Sequence, residues 1–499
     1  MTLPSVWQDR TSPEPAEAVD LDGPWDVAVV GGGLTGLTTA LLLGRAGQRV
    51  LVLEAARVGE GTTGRSTAKL SLLQGTRLSQ IGRRHPTHVV EQYVAANREA
   101  LAWVEQFCEE QGVGLTRCPS YTFAHGRAGV RAVRREYDVA RAAGLDVSTC
   151  DEVDLPFPTL GAVRLDGQVQ LDPVELLRAL AAECARHGVV VAEQERVLRV
   201  RGSGPVRVST AAQEVVADHV VVATNMPILD RGGFFARMTP ARSYLVAFRS
   251  DLPDLGAMYL SADRPSRSLR DARDAEGHRL LLVGGAGHTT GRSVPTSAHL
   301  DELRSWTAEH FPGVRETHAW SAQDYVPHHE LPYAGPILPG AEHLLVAGGY
   351  AKWGMTNGVA AALALSARIL GGRSAGAEVF STWDPHELRG LPSGLKTNVE
   401  VGLAMARGWL EPLGRLGRER TDDGQVRYDR VGPPSANPGQ GAGQRLSGVC
   451  THLGGVVTWN DAERSWDCPL HGSRFDADGA VLDGPAVCGL RRLGADPDR

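Results

Sequence analysis

Two short strings near the C-terminus, Cys450-Thr-His452-Leu-Gly-Gly and Cys468-Pro-Leu-His471-Gly-Ser-Arg-Phe475, place two thiols and two imidazoles in paired loops. That is a metal constellation whichever metal is chosen. Two thiolates and two imidazoles would suit a closed tetrahedral zinc site, and the residues alone leave the metal open. A second set of residues is built for phosphate. Gly31-Gly-Gly33-Leu34-Thr35-Gly36 follows the apolar run Asp26-Val-Ala-Val-Val30, precedes a helix-like run of leucines, and is closed by Arg49-Val-Leu-Val-Leu53 and Glu54. Strand, glycine turn, helix, strand and acid in about 30 residues make a dinucleotide-binding βαβ unit.

Each part of that unit has a physical task. Gly31 permits the tight turn, Gly33 lets the backbone approach a pyrophosphate at the helix N-terminus, and Gly36 lets the helix press on the strand. Glu54 accepts hydrogen bonds from ribose hydroxyls and repels a 2′-phosphate, which disfavours NADP. FAD and NAD both use such a unit. A second nicotinamide unit is not evident, because Leu281-Leu-Val-Gly-Gly-Ala-Gly287 has Thr290 where a third glycine should stand and reads as an ordinary strand and turn.

The continuation from Glu54 to Leu70 resembles the second phosphate- and flavin-contacting loop of the D-amino-acid-oxidase-type flavoproteins. The resemblance implies FAD contacts at Ala55, Arg57, Thr62, Thr63, Gly64, Ser66, Thr67 and Ala68, beside Leu34 and Thr35. Three later segments resemble the same family in the same order. They imply an adenine-side Val197, a strand-end turn at Ala223 and Thr224, and a flavin-edge turn at Gly349, Trp353, Gly354, Met355 and Thr356. The cysteine and histidine strings in turn resemble the two cluster loops of Rieske domains, which implies a 2Fe–2S cluster on Cys450, His452, Cys468 and His471. The extra cysteines of the respiratory subgroup are replaced by Gly455 and Leu470, and its tyrosine by Phe475, although Ser473 is retained. Fewer hydrogen bonds to the sulfurs imply a potential toward the lower part of the roughly −150 to +300 mV Rieske range.

Catalytic candidates follow from the same strings. The chain has three lysines, Lys69, Lys352 and Lys396, and the first two fall in segments expected to touch the flavin. An ammonium there would favour the anionic reduced ring. Tyr325, His328 and His329, in the segment that returns to the flavin in this family, are expected to line the substrate pocket.

The elements that must position these residues fit a chain of 499 residues, roughly three domains' worth. The resemblance implies an α/β Rossmann-like FAD-binding domain with an interleaved β-rich substrate region, of the D-amino-acid-oxidase and glutathione-reductase type. A C-terminal all-β Rieske domain follows. We expect the flavin domain over residues 1–380, a helical connector over 381–415 and the Rieske domain over 416–499. Residues 1–24 read as an irregular arm, and 431–443 carry so many breakers that the early Rieske strands are in doubt. A net charge of −6 without like-charge blocks speaks against nucleic acid, and no apolar run is long enough to span a membrane. Seven dispersed cysteines and no apolar leader point to a reducing cytoplasm.

The combination resembles flavoprotein oxidoreductases with a C-terminal Rieske domain. It implies an amine or amino-acid dehydrogenase that exchanges electrons between FAD and the cluster, with a small-molecule substrate and a one-electron protein partner. The competing readings are a flavin reductase fed by the Rieske domain and a redox-sensing or electron-storage protein.

Overall fold

The computed structural model describes residues 4–10, 19–411, 425–427, 434–437 and 445–493. Strand Trp25–Val30 (β1), helix Leu34–Arg45 (α1) and strand Val50–Leu53 (β2) follow one another directly. Both strands run as unbroken apolar stretches because both faces of a parallel sheet are covered. Their register pairs Val27 with Val50, and on the other side Val27 with His219 of strand Glu214–Asn225 (β3). The sheet order is Tyr333–Pro336, Leu344–Gly348, β3, β1, β2, Val190–Ala192.

A nine-stranded sheet forms the second layer. At one edge stands Arg315–Pro327 (β5), then Met238–Arg249 (β4), then Arg279–Thr289. Residues 281–287 lie inside a strand that runs on to Thr289, so the expected strand is present and the expected turn after it is not. Helix Gly354–Ile369 (α2) follows strand Leu344–Gly348 of the first sheet and packs against α1.

The C-terminal part carries a four-stranded antiparallel sheet, Thr458–Asn460, Ser465–Asp467, Arg474–Phe475 and Val481–Asp483, with Trp459 opposite Trp466. Trp466 and Phe475 are wholly buried beside Cys450, Cys468 and Leu470. Of the breaker-rich 431–443, Ser435–Asn437 is a strand; apart from Pro434, the remaining positions lie outside the described residues. Helix Leu391–Leu410 (α3) leans on this domain through Val401, Ala404, Met405 and Trp409.

The described part of the irregular N-terminal arm includes residues 4–10, a turn whose Val6 and Trp7 are buried. Trp7 Nε1 donates to the Ser66 carbonyl at 2.9 Å and Ser5 Oγ to the Gly64 carbonyl at 2.5 Å, so the arm clamps the loop that follows β2.

Candidate active site and metal centre

The ends of β1, β2 and β3, the 61–67 loop and the start of α2 enclose a cavity of about 580 Å³. Close approach explains the glycines. A Cβ on Gly36 would stand 1.9 Å from the Gly31 carbonyl oxygen, and Gly31 itself has φ +106°, so α1 seats on the strand end only as written. Both oxygens of Glu54 are anchored, one by Gly32 N–H at 2.6 Å and one by Ala56 N–H at 2.8 Å. Burial raises the Glu54 pKa while those two N–H groups oppose the rise.

Gly31, Gly33, Leu34, Thr35, Glu54 and Ala55 reach the wall of this cavity, as do Thr62, Thr63, Ser66, Thr67 and Val197. From the far side come Ala223, Thr224, Lys69, Lys352, Trp353, Gly354 and Met355. Several expected positions do not reach it. Gly36 and Gly64 lie beneath it in turns too tight for a Cβ, and Ala68 is fully buried. Gly349 packs its α-carbon against Pro327 and Met238 with φ +73°, Thr356 accepts from Gln74 at 3.0 Å, and Arg57 lies outside the wall.

Tyr325 is another, and its expected catalytic place is corrected. Its hydroxyl accepts from Gln323 Nε2 at 2.9 Å and donates to the Gly484 carbonyl at 3.1 Å, which turns it to the C-terminal domain. The reason is strand alternation: on β5, Ala322, Asp324 and Val326 face the cavity, while Gln323 and Tyr325 face away. His328 and His329 line a different cavity altogether.

The two lysines sit in unlike surroundings. Lys69 is buried and donates at 2.8 Å both to the Tyr259 carbonyl and to Ser268 Oγ. Burial, with the Arg270 guanidinium nearby, pulls its amine well below the usual lysine range. Lys352 stands in the cavity with φ +72° and donates to Ser243 Oγ. Its amine is open to the cavity yet ringed by protein, and that desolvation lowers its pKa against the pull of Asp324. Asp324 fixes the Lys352 backbone by accepting its N–H, and burial raises the Asp324 carboxyl.

The metal loops are two tight turns. Cys450 N–H donates to the Gly455 carbonyl at 2.8 Å, and Cys468 N–H to the Ser473 carbonyl at 2.8 Å. The turns bring the two thiols within hydrogen-bonding reach of each other. That contact with Cys468, with backbone N–H groups of His452 and Leu453 and the Ser473 hydroxyl, draws the Cys450 thiol down to about 7. The His452 and His471 rings lie 5.2 Å apart, nearly perpendicular. His452 Nε2 meets the Asp230 carboxylate at 2.7 Å, which leaves Nδ1 for a metal. His471 Nδ1 is buried with no partner among the described residues. No three of these four residues bring ligand atoms within 4.8 Å of one another, whereas a tetrahedral zinc site has edges of about 3.4 to 3.8 Å. The spread donor set fits a dinuclear cluster.

Residues 26–368 match the FAD dependent oxidoreductase family, and residues 437–493 match the Rieske [2Fe-2S] domain. The chain belongs to the D-amino-acid-oxidase-type FAD-dependent oxidoreductases. This flavin oxidoreductase carries FAD and, in its C-terminal Rieske domain, a 2Fe–2S cluster. It is 28% identical over 515 residues to YhfW of Bacillus subtilis (strain 168), whose name describes a Rieske 2Fe-2S iron-sulfur protein; the match spans 99% of this chain and 98% of that one. The fold is similar to glycine oxidase from Geobacillus kaustophilus, at TM-score 0.62 and 21% identity over 72% of this chain and 99% of that one. It is also similar to L-proline dehydrogenase from P. horikoshii, at TM-score 0.62 and 17% identity over 72% and 98% of the two chains.

The Rieske domain of this oxidoreductase closes the flavin cavity, a feature that motif reading missed. Leu482, Asp483, Gly484, Ala486 and Val487 form part of the cavity wall. Gln323 Nε2 donates to the Gly472 carbonyl at 2.7 Å, beside His471, and Arg292 Nε donates to the Pro469 carbonyl at 2.9 Å. Beneath these contacts Glu463, buried, takes Arg242 Nε at 2.9 Å and Arg474 Nη2 at 3.1 Å. Asp230, Gln323 and Glu463 carry no motif, and only the three-dimensional pairing of the two domains identifies them.

Proposed function

We propose that this oxidoreductase is an amine or amino-acid-type dehydrogenase in which electrons pass between FAD and the Rieske cluster of the same chain. FAD, when bound, takes two electrons with a hydride and releases them singly, and the cluster carries one electron at a time. The observation that carries the reading is the two-faced strand β5. Its Asp324 faces the flavin cavity and its neighbours Gln323 and Tyr325 hold Gly472 and Gly484 of the Rieske domain. This strand thus touches both the flavin cavity and the second cluster loop.

The substrate side follows from the cavity's remaining walls. Tyr244, Leu245 and Leu260 exclude water, and Lys69 places a nitrogen among them. A neutral Lys69 amine commits both hydrogens to Tyr259 and Ser268 and keeps a lone pair. That lone pair takes the proton of a substrate ammonium, which must be neutral before its α-hydrogen leaves as hydride. Lys352, held by Asp324 and Ser243, sets a donor on the opposite wall, where charge builds on the reduced ring. The names of glycine oxidase and L-proline dehydrogenase support an amino-acid substrate. We place the protein in the cytoplasm, with its last electron acceptor outside the chain.

Anaerobic addition of glycine, L-proline and their N-methyl derivatives tests the substrate class. Bleaching of the flavin absorbance by at least one is expected. A flavin that none of them bleaches, but that an added reductase reduces through the cluster, overturns the reading.

A further inference from the structure

A second cavity, of about 1100 Å³, opens beside α3 and shares no wall residue with the flavin cavity. Leu388, Leu391 and Leu395 form its mouth, and they are 65%, 62% and 71% exposed. They begin a row that continues through Val399, Leu403 and Leu410, all exposed. At 3.6 residues per turn the five positions of this row on α3 share an arc of about 120°, which adjoins the face that packs on the Rieske domain. An exposed apolar row of this length marks a binding surface.

The inner end of the cavity is polar and unsatisfied. His329 lines it, is 1% exposed, and has no partner for Nε2 among the described residues; Glu387 Oε1 has none either. Arg237 is already engaged. It pairs with Glu387, donates to the Thr382 carbonyl at 2.6 Å, and lies over the Tyr333 and Trp383 rings at 4.6 Å. Burial keeps His329 well below the usual histidine range and pushes the Glu387 carboxyl up to about 7. A carboxylate-headed lipid would therefore meet Glu387 and find no free cation, whereas a neutral carbonyl finds hydrogen-bonding groups and flat aromatic walls.

The place of the cavity adds redox chemistry. Ala236 is in its wall, and the adjoining Phe235 sets its ring 5.0 Å from His471 and 5.6 Å from His452. We propose that this cavity binds a lipophilic quinone as external acceptor, its ring carbonyl at His329 and its tail along Leu391 and Leu395. The binding stands on the cavity alone, and the use as acceptor rests on the function proposed above. In that use an amine CH–NH becomes C=N and the quinone becomes hydroquinone. The two electrons and two protons lost by one are gained by the other, with protons exchanged through water.

The test titrates the holoprotein with a decyl-substituted benzoquinone, following calorimetric heat and the tryptophan fluorescence that is lost in Trp383→Phe. Saturable binding at one site per chain is expected, weakened about tenfold in Leu395→Asp, a surface change that leaves the fold intact. Decanoate is expected not to compete. No saturable binding, equal binding by Leu395→Asp, or displacement by decanoate each overturns the proposal. So does a dimer in sedimentation that Leu395→Asp dissolves while the quinone fails to bind. Quinone binding without flavin bleaching by any amine would remove the dehydrogenase reading and leave the site standing.

Discussion

Lys352 and Lys69 share one cavity, and burial lowers the pKa of both. Burial and the Arg270 guanidinium favour the uncharged Lys69 amine, the form that can accept a substrate proton, whereas at Lys352 Asp324 opposes the fall. A protonated Lys352 favours the anionic reduced flavin, so Lys352→Met is expected to lower the flavin potential by about 30 mV, which is ~1.4 kcal/mol for a two-electron couple. Because the Lys352 pKa is lowered from 10.5, the charge and this gap fade as pH rises through a value below 10.5. Potentiometry at several pH values checks it. A gap that is absent at neutral pH, or that grows with pH, contradicts the role. For the metal, His471→Ala removes the buried Nδ1 ligand. Its iron content is expected to fall to near zero with flavin retained, by elemental analysis and absorbance. Phe475, wholly buried in the Rieske core, offers no hydroxyl toward the cluster, so redox titration is expected to find a potential in the lower part of the family's range, and one near its top would contradict this.

At the scale of elements, the glycine turns position the cofactor and the interface strands position the cluster. Gly36→Ala drives a methyl onto the Gly31 carbonyl, so the purified variant is expected to lose most of its bound FAD, read as flavin absorbance per protein. Gly291 has φ +71°, and a Cβ there would stand 2.8 Å from Pro469 N, so Gly291→Ala lifts the second cluster loop off the flavin domain. The variant is expected to keep its Rieske signal while electron arrival slows roughly tenfold, measured by rapid-freeze EPR. Much of this was legible in the sequence. The βαβ unit, the later flavin strings and the cluster loops all use close backbone approaches that only particular residues permit, and such constraints write motifs. Tyr325 was misplaced because a motif fixes that a strand returns to the flavin, while the parity of each residue on that strand depends on its partners. The Trp7 anchor left no signal, since one tryptophan on a short turn has no period.

For the whole molecule, the two domains are joined by a buried charge network rather than by a linker alone. Glu463 lies between Arg242 and Arg474; burial pushes its carboxyl up, but the two guanidiniums outweigh it and hold it at about 2. The pairing stabilises the fold fully above about 4.5, the ordinary glutamate value, and that gain is lost as pH falls toward 2. Glu463→Ala strands the buried Arg242 guanidinium, while Arg474 keeps Asp467 and Asp483, and is expected to cost about 3 to 5 kcal/mol in urea unfolding. Its deficit should shrink below pH 4.5, where the wild-type carboxyl takes up protons. The interface itself was not legible, because Asp230, Gln323, Arg242 and Glu463 are far apart in the chain and each is an ordinary surface type.

The most direct test of electron exchange within one chain reduces the flavin in place, with light and EDTA under anaerobic conditions, and follows flavin absorbance and the Rieske EPR signal on the same sample. The account predicts a rhombic signal that grows as the flavin reoxidises, at a rate independent of protein concentration. A reduced flavin beside a cluster that stays oxidised, or a rate that scales with concentration, would contradict it.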